Sequence, residues 1–378
     1  MFFQIIFILI VIKGIFAQNC QLNATFMDKK WIYATKPTAN TWDVLHTDYI
    51  EDRKRLYLIC NAMTNVRRIY CNRGIWQEET HDLTCPRRLK ANVVKIENEN
   101  SCSQLNGELY QVRYTLPDGN IISLYEVCYS TQNEQSLYSR HKAYGFNLAA
   151  STYVRPMFSR SNNVVSRERE LSFKAENIYN TFVRLLGSKQ TYVPNEKTLI
   201  LDRGHLTNSQ DFLTYDQMDE TFKYVNVIPQ FRGGNRSNWK RIENWVHNLP
   251  TKNTYAQVVT GSFGILSLPH SESNTLVPMY LMPNAKNPIP LWLYKVVKYK
   301  NQCYIFATLN NEFNTNSSIS PPFCNSTACP MHLEFNPAPN SGVSYCCDYN
   351  STAAKIGSHA TLCNSVSRLT KFFDNIFG

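Results

Sequence analysis

Two periods of apolar residues run along this chain, and they change over from segment to segment. RLYLIC (55–60) and RRIYC (67–71) alternate apolar and polar positions closely enough to predict strands. GELYQVRYTLPDGNIISLYEVCYS predicts a hairpin with Asp118-Gly119 in its turn. STYVRPMF (151–158) is another extended piece, ended by Pro156. YAQVVTGSFGILSLP (255–269) predicts a strand and turn, and LWLYKVVKYK with CYIFATL (291–309) a hairpin around Asn301. The second period is helical. SRERELSFKAENIYNTFVRLLG (166–187) puts Ile178, Phe182 and Leu185 on one stripe, with Gly187 just past the end. LCNSVSRLTKFFDNIF (362–377) predicts a terminal helix, and 310–360 reads as loops. No internal repeat is visible. The pattern is α+β.

Both periods meet between Leu199 and Leu249. Leu199-Ile200-Leu201 predicts a short buried strand, after which Gly204 lets the chain turn sharply and His205 project from the strand end. From Phe222 to Ile228 the alternation puts Phe222, Tyr224, Asn226 and Ile228 on one face, with Pro229 ending that strand. Gly233-Gly234 then predicts a break before a helix running through about Leu249. Trp239, Ile242, Val246 and Leu249 form its packing stripe. Asn235 and Glu243 lie beside that stripe, a little over two turns apart. A histidine thus faces an amide and a carboxylate. That set suits oxygen ligation of a hard ion such as Mg²⁺, which keeps most of its waters.

Composition adds a compartment and a class of partner. MFFQIIFILIVIKGIFA (1–17) reads as a secretory signal, although its basic residue, Lys13, comes late. Its apolar run, Phe2 to Ile12, is too short for a stable bilayer-spanning helix, and no other segment predicts one. The expectation is a secreted protein without a membrane partner. All twelve cysteines follow the signal, six before residue 130 and six after residue 300, which predicts disulfides on both flanks of a thiol-free middle. Proximity suggests Cys71–Cys85 and Cys102–Cys128. Cys324, Cys329, His332 and Cys346 match no usual zinc spacing. Three units follow: a signal at 1–17, a small β-rich, disulfide-held N-terminal unit at 18–105, and a larger mixed, mainly antiparallel domain at 106–378. The net charge of +10, or +9 without Lys13, favours an anionic partner. Sequons start at Asn23, Asn235, Asn316, Asn325 and Asn350; a glycan at Asn235 would block the site, so that one should stay bare.

Taken singly, the histidine in Arg-Gly-His would be an ordinary packed side chain, and Glu243 a solvated helix carboxylate. Taken together, D-R-G-H (202–205), N-x-x-P-Q (226–230) and N-x-x-x-W-x-x-x-E (235–243) resemble the DNA/RNA non-specific endonucleases, the Serratia-nuclease type with a ββα-metal (His-Me) finger. Weaker likeness runs from about 106 to 350, and the signal and late Cys-Cys pair look most like secreted insect salivary or gut nucleases. The resemblance implies an Mg²⁺-dependent endonuclease, with Mn²⁺ as an alternative ion, that cuts DNA and RNA and leaves 5′-phosphates. It implies His205 as general base, Asn235 as the one direct metal ligand, Glu243 as holder of the ion's waters, Arg203 as phosphate clamp and Asn226 as support. A second clamp usually lies upstream, and Arg155 is the candidate on its position and its R-P-x-F context (155–158). His247 shares the helix without motif support. His46, His81, His141, His270, His332 and His359 read as structural or surface residues. The competing expectation is a high-affinity nucleic-acid-binding salivary protein with weak turnover on the same scaffold. A heparin- or membrane-surface-binding factor rests on charge alone. The sequence leaves the oligomeric state open.

Overall fold

The computed structural model describes residues 18–363, except 24–29, 62–65, 79–84, 98–99, 117, 147–152, 161–163 and 315–318. The expected signal and the sequon at Asn316 lie outside the described residues, as does all but the start of the expected terminal helix. Among the described residues, no helix is long and apolar enough to cross a membrane.

The fold is α+β. Its centre is a 9-stranded antiparallel sheet. Both predicted hairpins are in it: Glu108–Thr115 with Ile121–Ser130, and Pro290–Tyr299 with Gln302–Leu309. The first turns at Gly119, φ +83°, and the second at Lys300, φ +53°. Tyr255–Ile265 and Gln135–Tyr144 join the two hairpins into one surface. Strand alternation sorts the side chains by face. Val258, Leu293, Val297 and Phe306 pack beneath the helix Lys240–Asn248. Val259, Trp292, Tyr294 and Ile305 point the other way, towards the helix Tyr349–Ile356. That second helix lies where the sequence suggested only loops. Asp348 caps it by accepting from the Ser351 N–H.

The stretch 166–187 is two helices rather than one, Arg167–Ser172 and Ala175–Leu186. Phe173 is buried between them, and the Asn177 amide joins the Lys174 N–H in donating to the Leu171 carbonyl at the break. Gly187 ends the second helix at φ +90°. Arg169, on the first helix, has no exposed surface. Its guanidinium donates to the carbonyls of Tyr224 at 2.6 Å and Val227 at 2.8 Å, and to the Ser136 hydroxyl at 3.1 Å. It also lies over the Tyr129 ring. One buried cation therefore ties this helix to the sheet and to the strand that supports the site.

The N-terminal unit is a 5-stranded antiparallel sheet that includes both predicted strands. Its disulfides are Cys20–Cys71 and Cys60–Cys85. The expected Cys71–Cys85 pair does not form, because the first strand of the chain brings Cys20 to within 5.7 Å of Cys71, Cα to Cα. Cys102–Cys128 forms as expected. The C-terminal bonds are Cys303–Cys363, Cys324–Cys347 and Cys329–Cys346, which leave no thiolate for zinc. Ile32, Ala34, Val44 and Ile59 of the small sheet share one core with Val93, Val112, Tyr114 and Ile122 of the large one. The strand Asn92–Lys95 already belongs to the large sheet, pairing with Glu108–Thr115.

Replacing Arg169 by Met keeps the bulk but leaves two buried carbonyls without their donor. At about 1–3 kcal/mol for each unmet group, the expected loss is roughly 2–6 kcal/mol. Urea denaturation measures it, and an unchanged midpoint would remove Arg169 from its place as the tie.

Candidate active site

Leu201–His205 and Val227–Phe231 form a separate two-stranded antiparallel ribbon, with Asp202 opposite Gln230 and His205 opposite Val227. The second strand begins later than the sequence pattern suggests. Residues Phe222 to Asn226 are all buried, so their alternation does not separate an inner from an outer face. They form turns, ending in a 3₁₀ turn at Tyr224–Asn226. Pro229 lies within the strand rather than ending it, which a two-stranded ribbon tolerates because one edge needs no N–H. Gly204 also has a different role. It stays in the strand, and a Cβ there would meet Gln230 Oε1 at 2.2 Å. Glycine is needed for that close approach, not for a turn.

Asn226 is fully buried and fixes the chain just after His205. Its Oδ1 accepts from the Thr207 N–H at 2.8 Å. Its Nδ2 donates to the carbonyls of Thr207 and Thr221, both at 3.0 Å. The Asn226 carbonyl accepts from the Leu206 N–H. A single amide thus pins the exit of the His205 strand to the turn that precedes its partner strand.

His205 lies between two aromatic rings, 4.7 Å from Phe222 and 5.2 Å from Phe158, centroid to centroid. Part of the ring surface is open, but Nε2 is buried and has no hydrogen-bond partner. Burial pushes its pKa down to about 3, and the positive charge of Arg155 pushes in the same direction. The imidazole is therefore neutral at any ordinary working pH. Arg203, two residues back on the same strand, lies over Phe158 and Tyr224, with its Nε buried and unbonded. Ser159 exchanges backbone hydrogen bonds with Phe222 and Tyr224, which fixes the segment carrying Arg155 and Phe158 beside the histidine.

The expected break at Gly233-Gly234 is absent. Arg232–Gly234 is already helical, Asn235–Trp239 is a π turn, and Lys240–Asn248 continues as α-helix. Gly233 is required by contact, since a Cβ would sit 2.1 Å from the Asn340 carbonyl oxygen. The π turn bears on the ligand geometry. Two α turns take about 7.2 residues, so an eight-residue spacing overshoots. A wider turn absorbs most of the excess and brings Asn235 and Glu243 onto one side. Asp202 then locks this helix to the ribbon. Its carboxylate accepts from Asn235 Nδ2 at 3.0 Å and from two nitrogens of Arg236 at 2.8 and 2.9 Å. Among the described residues, nothing donates to the Asn235 side-chain carbonyl oxygen.

Glu243 is half-buried, and among the described residues no side chain or N–H donates to it. Burial pushes its pKa up to about 7. Lys295 and Arg155 pull it down, while Asp211 pushes it up. Lys295 is buried beneath Trp239, donating to Thr260 Oγ1 at 2.6 Å. Asp211 is engaged by His141 at 2.8 Å. Arg155 is itself exposed, yet its field acts on both His205 and Glu243. Sequence reasoning assigned no role to Asp202, Lys295, Asp211 or the two phenylalanines. Asp202 alone carried a signal, its place in the D-R-G-H run. Among the described residues, no three of His, Cys, Asp and Glu converge as a metal cluster. A metal here would rest on the Asn235 amide oxygen, with the Glu243 carboxylate behind it. An unbonded carbonyl and an unpaired carboxylate of raised pKa are oxygen donors suited to a hard, hydrated cation.

Two outcomes follow from this geometry. Asn226→Ala strands three buried backbone groups and, at about 1–3 kcal/mol for each, should cost at least roughly 3 kcal/mol in chemical denaturation. Arg155→Ala removes one of the two causes of the His205 shift, so the NMR titration midpoint of the His205 ring should rise from near 3 towards the ordinary 6.5. A midpoint that does not move would place Arg155 outside the site.

Comparison with known proteins agrees with the motif. A salivary endonuclease of Lutzomyia longipalpis is 31% identical over 227 residues, 57% of this chain and 52% of its own. The chain thus spans about half the length of that relative. Salivary protein Tsal1 of Glossina morsitans morsitans is 24% identical over 279 residues, 71% of this chain and 68% of its own. Among solved structures, a chain of the EndoG/EndoGI complex aligns over 50% of this chain and 71% of its own, at 18% identity and a TM-score of 0.33. Residues 105–352, well over half of the chain and the whole of the stretch from Asp202 to Glu243, match the DNA/RNA non-specific endonucleases, and the chain belongs to that family.

Proposed function

We propose that this protein is a secreted, Mg²⁺-dependent endonuclease that hydrolyses phosphodiester bonds of DNA and RNA, double-stranded forms included, and leaves 5′-phosphates. The observation that carries the reading is a neutral histidine with an unbonded nitrogen, on the same strand as the carboxylate that orients Asn235. His205 takes the proton of the attacking water. Arg203 and Arg155 hold the phosphate, where a guanidinium can meet two oxygens at once. Asn226 keeps the histidine in register. Asn235 would hold the metal by its amide oxygen, with Glu243 orienting the water around it. When bound, Mg²⁺ supplies Lewis-acid stabilisation of the charge growing on the phosphate and the departing 3′ oxygen. Six disulfides and the salivary relatives support secretion.

A pKa near 3 makes His205 a weak base in the free protein. An arriving phosphate would pair with Arg155 and cancel its field, so the base would strengthen when substrate is present. The same depressed pKa favours one alternative, a tight nucleic-acid binder with slow turnover.

Plasmid DNA and double-stranded RNA distinguish the two. With Mg²⁺ both should be cut, and EDTA should stop the cutting. His205→Ala should lower the rate by about 10²–10⁴-fold. Asn235→Ala should lower it at least as far while leaving the thermal unfolding temperature nearly unchanged. A tight gel shift without cleavage in Mg²⁺ would instead support the binder.

A further inference from the structure

The seam between the N-terminal unit and the large domain holds a cleft of about 710 Å³. Apart from Asn253, its lining lies outside residues 105–352, on their N-terminal side, and no catalytic residue lines it. Lys36, Arg53, Lys54 and Arg55 do line it, all exposed, against the single carboxylate of Glu51. Lys36 and Lys54 meet no carboxylate among the described residues. The Lys36 ammonium instead lies over the Trp42 ring at 4.1 Å and near the Tyr57 ring at 5.8 Å. Aromatic rings hold that charge in the cleft without neutralising it. Arg53 approaches Asp52 only at 3.8 Å, with most of its side chain in solvent. It has φ +62°, an unusual conformation for a non-glycine residue, and projects from the turn before its strand.

The cleft is linked to the catalytic helix. Glu243 and His247 are one turn apart on that helix, and the His247 ring meets Phe146 at 5.3 Å. Two residues before Phe146, Tyr144 stacks on His46 at 4.3 Å, and His46 lines the cleft. Asn253, five residues past the helix end, forms part of the rim and accepts from the Tyr49 hydroxyl. The helix carries the chain about 7.5 Å from Glu243 to Asn248, and five further residues reach at most about 17 Å, so this rim lies within roughly 25 Å of Glu243. A nucleic-acid strand carries one charge per roughly 3.4 Å of axis, so about seven nucleotides are enough to bridge that distance.

We propose that this seam cleft binds the phosphodiester backbone of a nucleic-acid strand leaving the catalytic site, through Lys36, Arg53 and Lys54. The N-terminal unit then acts as a second, sequence-independent grip on long substrates. The choice of nucleic acid as the anion rests on the nuclease reading above. The contact itself does not require turnover.

The test uses the full secreted chain, in EDTA so that nothing is cut. Affinity for a long single strand, about 30 nucleotides, is measured against salt for the native protein and for the triple variant Lys36→Ala, Arg53→Ala, Lys54→Ala. Each lost phosphate contact flattens the log–log salt slope by about 0.7, so the three together flatten it by about 2. Between 50 and 200 mM salt, the native chain should therefore lose about twenty-fold more affinity than the variant. Lys36→Arg with Lys54→Arg should keep the native slope, which separates charge from folding. A dinucleotide, too short to reach the cleft, should be bound and, with Mg²⁺, cut equally by both proteins. An unchanged slope on the long strand overturns the proposal. So does a variant that loses heparin binding while holding the long strand as before. If the native chain cuts nothing in Mg²⁺, the nuclease reading falls, while the slopes in EDTA still decide the cleft.

Discussion

The site depends on one buried amide. Asn226 uses both ends of its side chain to join Thr207, just after His205, to Thr221, just before the partner strand. A two-stranded ribbon has little stability of its own. This clasp and the Arg169 bonds to Tyr224 and Val227 hold one end of the ribbon, while Asn310 holds the other through the Phe231 N–H and the Pro229 carbonyl. With them, the ribbon becomes a rigid arm. One side carries Arg203 and His205 against aromatic rings, and Asp202 fastens the arm to the Asn235 helix. The large sheet contributes mainly by holding that helix at a fixed height, through Trp239, Ile242 and Val246.

The electrostatics follow from the same burial. His205 and Glu243 are both shifted towards their neutral forms, the histidine downward and the carboxyl upward. Water that would have solvated their charges is excluded. Arg155 opposes charge on one and favours it on the other. At neutral pH His205 is therefore uncharged and Glu243 only partly ionised, with cationic arginines around them. That arrangement attracts an anion and leaves the chemistry waiting for its arrival.

Much of this was legible in the chain. Alternation gave both central hairpins, because their inward and outward faces differ in polarity. The 202–243 motif gave the family, because the residue types and spacings it needs are few. What escaped notice did so for physical reasons. Phe222 to Asn226 are buried on all sides, so their alternation described no real face. Gly204 and Gly233-Gly234 read as turn signals, although two of the three exist for close contacts with Gln230 and Asn340, which lie far away in sequence or across a ribbon. Phe173 broke one predicted helix into two because it packs inward, a tertiary preference that local propensity does not carry. Lys295 and Asp211 sit on a distant strand and loop, and only the folded chain brings them near Glu243.

The π turn at Asn235–Trp239 makes the site sensitive to length as well as to composition. A π turn is one residue more than an α-helix needs, kept in place by its surroundings. If these residues relaxed to regular α geometry at the same count, Asn235 would swing by about 80°, nearly a quarter of a turn, relative to Glu243. Deleting one of residues 236–239 would restore the alignment, because seven residues fall only about 20° short of two α turns. Along these five positions, the winding of the backbone and the number of residues set the alignment together.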